Sequence, residues 1–84
     1  MISFRVSTVF RIMDSFSRAP IANGVFSAVL DGVKVRLTHK GDGYFLLMDA
    51  ERGEHELELT SKIYLREKLN FVVGEHPETI VLTL

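Results

Sequence analysis

The sequence predicts an all-β protein, an antiparallel Greek-key β-sandwich of about seven strands filling residues 1–84 as one domain. Three observations predict it. Apolar and polar residues alternate with period two in segments that recur at a spacing of roughly ten residues. Turn chemistry separates them, above all Asp31-Gly32 and Gly41-Asp42-Gly43. Helical periodicity is missing, although composition alone also allows a helix over Lys62–Asn70.

The first element is a long strand over 2–13, with Ile2, Phe4, Val6, Thr8, Phe10 and Ile12 on one face and Ser3, Arg5, Ser7, Val9, Arg11 and Met13 on the other. A loop follows from Asp14 to Asn23, in which Pro20 belongs at a strand start or an edge because it cannot donate to a ladder. Val25–Leu30 and Val33–Thr38 flank Asp31-Gly32, a two-residue turn of type I′. That turn pairs Leu30 with Val33, Ala28 with Val35 and Phe26 with Leu37, all apolar, so turn and pattern select one register. Tyr44–Met48 forms the next strand. After Glu51-Arg52-Gly53 the alternation is strict: His55, Leu57 and Leu59 face one way, and Glu54, Glu56 and Glu58 the other. Such a glutamate stripe needs water or cations, and Lys34 and Arg36 are available partners. Tyr64 anchors an irregular stretch through its hydroxyl. Strands at Lys68–Val73 and Ile80–Leu84, separated by a turn at Gly74–Glu78, complete the chain.

Ten basic and eleven acidic residues give a net charge of -1, which argues against an electrostatic nucleic-acid binder and favours self-association. Without cysteine, disulfides and thiolate metal sites are excluded, but the compartment stays unassigned. No apolar run is long enough for a membrane-spanning helix, and no secretory signal pattern is evident in 1–13, where Arg5 and Arg11 interrupt the apolar residues.

Candidate sites are few. His39, His55 and His76 lie in separate segments without metal-ligand spacing, so each is read as a surface or half-buried imidazole. Asp31 and Asp42 are explained as turn formers beside glycine and Asp14 as a loop-side hydrogen-bond acceptor, and no alternate-position oxygen pattern marks a calcium loop. Gly41-x-Gly43 precedes a strand and cannot act as a helix-backed phosphate loop. No serine sits in a nucleophile elbow. Phe4, Phe10, Phe26, Phe45 and Phe71 fall in the apolar phase and are expected in the core; Phe16 and Tyr44 do not.

The order of these elements resembles the carboxypeptidase regulatory-like domain, a transthyretin-like (prealbumin-like) β-sandwich repeated as a module in many bacterial proteins. The run Asp14 to Val25, including Ala19-Pro20-Ile21 and Gly24-Val25, is similar to that family's strand, loop and Gly-x-Val sequence. Asp42-Gly43-Tyr44-Phe45 with Leu47, Arg52-Gly53-Glu54-His55-Glu56-Leu57, Ile63-Tyr64 and Thr79–Leu84 resemble its later motifs, so the likeness covers about residues 5–84. Ala19, Ala50 and His55 depart from the family pattern. A 5-hydroxyisourate hydrolase shares the architecture, but its C-terminal Tyr-Arg-Gly-Ser signature is missing from this chain. The resemblance implies a structural or adhesive role, carries over no catalytic residue or cofactor, and points to exported or surface proteins as the usual setting.

The functional expectation is therefore a non-catalytic module that binds a protein partner or a second copy through its edge strands, taken to be 2–13 and 79–84. Val9 and Met13, apolar on a polar face, are the expected contact residues, with Tyr44 as a third. The alternative ligand is a carbohydrate, bound by loops near Tyr44, His39 and Asp42.

Overall fold

Phe10 and Ile12, both 0% exposed, occupy the inward phase of β1 (Val6–Met13), as the alternation predicts. The structure is a computed structural model that describes residues 5–22, 24–64 and 66–84. Ile2, Ser3 and Phe4 of the predicted strand and Asn23 of the predicted loop lie outside the described residues. Two four-stranded sheets pack as a small β-sandwich, and no helix occurs among the described residues. With β2 (Phe26–Leu30), β3 (Val33–Val35), β4 (Thr38–His39), β5 (Tyr44–Met48), β6 (Gly53–Ser61), β7 (Glu67–Val73) and β8 (Glu78–Thr83), sheet I has the order β4-β5-β1-β8 and sheet II β3-β2-β6-β7.

β1 is an interior strand, which corrects its assignment as an edge. It pairs antiparallel with β5, Phe10 opposite Phe45, and parallel with β8, Phe10 beside Ile80. Period two reveals which face of a strand is buried but carries no information about which sides are paired. A bulge near the start of β1 shifts the register between Val6 and Thr8, and both Ser7 and Thr8 are buried. The Ser7 hydroxyl satisfies this by accepting the Ala50 amide at 2.8 Å.

The predicted hairpin forms in its predicted register, with Asp31 and Gly32 at φ 50° and 82° as a type I′ turn requires. The third pair, Phe26 with Leu37, does not form. After Val35 the chain leaves sheet II, buries Leu37 and joins sheet I as β4, so one expected strand becomes two and the count rises to eight. Lys62–Asn70 holds part of β7 and no helix among its described residues.

Aromatic contacts join the two sheets edge to face: Phe10 to Phe71 at 5.4 Å between centroids and Phe26 to Phe45 at 4.9 Å. Leu57, Leu59 and Val73 fill in from sheet II, and Leu47 from sheet I. The glutamate stripe takes its cations from β7's side. Arg66 meets Glu58 at 3.1 Å and Lys68 is directly opposite Glu58, whereas β2 separates Lys34 and Arg36 from the stripe.

Gly43 shows how tightly the two sides of sheet I are joined. Its φ is 80°, its carbonyl accepts the Ile12 amide at 2.8 Å, and a Cβ there would come within 2.7 Å of the Ile12 carbonyl oxygen. Gly74 has open space around it and no left-handed φ. Gly43→Ala is expected to lower unfolding stability by about 2–3 kcal/mol through left-handed strain and the backbone clash. Gly74→Ala is expected to change it by less than about 1 kcal/mol. Urea denaturation midpoints of the two variants check this, and equal losses would contradict it.

Candidate interaction surface

Val9, Met13 and Tyr44 all project from the outer face of sheet I and are half-buried there. Val9 is beside Leu46 on β5 and Thr79 on β8; Tyr44 is beside Arg11, which is beside Val81. The predicted apolar positions therefore share one face, but Val9 and Met13 have no open ladder, because β1 is paired on both sides.

Tyr44 is less free than its sequence position indicates. The Arg11 guanidinium lies 5.1 Å from its ring centroid and also meets Asp42 at 3.4 Å, so a cation covers one ring face. His39 stacks on Phe45 at 4.7 Å, on the inward side of sheet I, while Tyr44 points outward. The sheet thus separates His39 from Tyr44 and Asp42, which do not form one loop cluster. Nε2 of His39 and Nε of Arg11 are shielded from solvent and have no hydrogen-bond partner among the described residues. His76 stands exposed in the turn before β8. Among the described residues no group of three or more His, Asp and Glu converges to hold a metal ion. No helix there is long and apolar enough to cross a membrane.

Two polar clusters tie the loops together, and the pairing within each joins residues far apart in sequence. The His55 side chain, 12% exposed, bridges two turns: Nδ1 lies 2.6 Å from an Asp31 carboxylate oxygen and Nε2 2.6 Å from the Glu51 carbonyl. Both neighbours are acceptors, so both ring nitrogens donate only in the imidazolium form. The Asp31 hydrogen bond, helped by the Glu51 carbonyl, holds the His55 pKa above its ordinary 6.5. The Glu56 amide, together with His55, holds the Asp31 carboxyl below its usual range. With both nitrogens occupied, His55 offers no lone pair to a substrate; its geometry is that of a clasp between the β2–β3 turn and the start of β6.

The second cluster ties two loops. The Tyr64 hydroxyl donates to Asp14, whose other oxygen accepts the Phe16 and Ser17 amides at 2.9 and 2.7 Å. Led by the tyrosine, these bonds bring the Asp14 pKa down to about 2. Tyr64 anchors its loop through its hydroxyl and Asp14 is a loop-side acceptor, both as expected; that the two meet is not encoded in local spacing. The same turn leaves Phe16 99% exposed.

Four strands end the two sheets, and three are blunted. β3 has three residues with Lys34 at its centre, β4 has two, and β7 carries Glu67 and Lys68. β8 has no charge from Thr79 to Thr83, and Val81 is 64% exposed. Its hydrogen-bond parity follows from Leu84, whose amide donates to Met13 and whose carbonyl accepts from Ser15. Ile80, Leu82 and Leu84 therefore face β1, and the backbone groups of Thr79, Val81 and Thr83 face outward.

Comparison of the chain with family models, curated proteins and solved structures finds no match.

The His55 clasp gives a pH prediction with a definite sign. A pKa raised on folding contributes stability that is full below the unfolded value of 6.5 and is lost as pH rises through the folded value. Between about pH 5 and about pH 9, the Tm difference between wild type and His55→Gln is expected to be largest at the acid end and to shrink toward the alkaline end. A difference that stays constant with pH would contradict the clasp.

Proposed function

We propose that the chain is a non-catalytic β-sandwich module, of the carboxypeptidase regulatory-like type, that works by adding a strand from a protein partner to β8. The uncharged, outward-facing ladder of Thr79, Val81 and Thr83 carries this reading. The motif order from Asp14 to Leu84 supports the family assignment, and the two-sheet architecture is compatible with it.

The partner this edge fits best is a second copy of the same chain. An antiparallel pairing centred on Val81 sets Val81 against Val81, Thr79 against Thr83, and Ile80 against Leu82 on the core-facing side. Every pair matches in polarity, and the three outward-facing residues are the ones such a ladder uses. A net charge of -1 opposes the approach only weakly. One added strand buries less than the roughly 1,600 Å² of a standard interface, so the association is concentration-dependent.

Size-exclusion chromatography with light scattering over a concentration series tests this. Wild type is expected to shift toward dimer as concentration rises, Val81→Lys to remain monomeric, and an equimolar mixture of Val81→Lys and Val81→Glu to recover the dimer. A wild type that stays monomeric throughout, or a Val81→Lys that dimerises equally, would contradict the proposal.

A further inference from the structure

The point where β3 leaves sheet II opens a second unpaired stretch of backbone, independent of β8. The Asp31 amide donates to the Glu56 carbonyl at 2.9 Å, which sets the parity of β2. Asp31, Val29 and Ser27 face β6, and Leu30, Ala28 and Phe26 face the β3 side. β3 pairs with Leu30 and Ala28 and then departs. The amide and carbonyl of Phe26 consequently point into a gap and have no backbone partner there among the described residues.

That gap is a cleft of about 500 Å³. Half-buried Phe26 and Val35, buried Leu37 and Phe45, and exposed Lys34 and Arg36 all line it. Neither cation is within ion-pair distance of a carboxylate among the described residues. Val35 and Leu37 alternate with Lys34 and Arg36 along the departing arm, so the apolar side chains face inward and the cationic ones outward.

We propose that this cleft binds an extended segment of a partner protein whose side chains alternate acidic and apolar. The segment continues the β2 ladder at Phe26, seats an apolar side chain against Phe26 and Val35, and presents carboxylates to Lys34 and Arg36. Main chain is the chemistry that fits, because a fatty-acid anion would leave the Phe26 amide and carbonyl unpaired. The acidic requirement comes from the two unneutralised cations. The chain's own alternating run, Glu54 to Leu59, cannot supply the segment, since β6 is paired on both sides.

Titrating isotope-labelled protein with the peptide Ac-Thr-Glu-Val-Glu-Thr-NH2, and with its counterpart bearing Lys for Glu, tests the proposal by amide chemical shifts. The acidic peptide is expected to shift Phe26, Ser27 and residues 34–37, and to slow exchange of the Phe26 amide. The basic peptide is expected to leave these residues unchanged. In a Lys34→Glu, Arg36→Glu double variant the acidic peptide should bind at least about tenfold more weakly. The two-peptide comparison uses wild type, so it holds even if that variant folds poorly. Absence of shifts at these residues, or equal binding of both peptides, would overturn the proposal. So would dodecanoate shifting them without protecting the Phe26 amide while the acidic peptide does nothing. Because the cleft is remote in the ladder order from β8, any of these results leaves the β8 reading intact.

Discussion

β1 hydrogen-bonds antiparallel to β5 on one side and parallel to β8 on the other, and the rest of the molecule is arranged around that pairing. A parallel partner cannot be reached through a tight turn, so the chain must cross to another layer before returning. Sheet II is that layer. Its β2, β6 and β7 supply the inward residues, including Phe71 and Leu57, that cover Phe10 and Ile12 from above. The large apolar side chains on the inward face of β1 therefore require that second layer across the core.

The same arrangement decides where backbone is left open. A sheet closed around β1 ends at β4, which is only two residues long, and at β8, whose uncharged run from Thr79 to Thr83 presents a usable ladder. In sheet II the need to deliver Leu37 and β4 to the other layer cuts β3 short and frees Phe26. Both openings follow from the route of the chain. Neither calls for a catalytic group, and the best-formed polar pair, His55 with Asp31, has its hydrogen bonds consumed within the fold.

Local chemistry made part of this legible in the sequence. The Asp31-Gly32 hairpin was readable because turn type and binary pattern demanded the same register. Phe10, Phe45 and Phe71 were readable as core from strand phase, and Tyr64 as an anchor from its hydroxyl. Lateral neighbours were not. Alternation marks faces, so 2–13 read equally well as an edge, and Lys34 and Arg36 looked like partners for a glutamate stripe that β2 holds away from them. The His55 clasp depends on two turns meeting over a distance of 24 residues, which no local spacing encodes. Val9 and Met13 were readable as neighbours on the outer face of 2–13, but that Tyr44 shares this face depends on the β1–β5 register, and the open ladder belongs to β8.

Residue-resolved amide hydrogen exchange at low and high protein concentration reads the two sides of β8 separately, and so tests it as the docking edge. Ile80, Leu82 and Leu84 are expected to be protected by β1 at both concentrations. Thr79, Val81 and Thr83 are predicted to exchange fast when dilute and slowly when concentrated. Fast exchange of Thr79, Val81 and Thr83 at every concentration would contradict β8 as the docking edge, and fast exchange of Ile80 and Leu82 would contradict the β1–β8 pairing on which it rests.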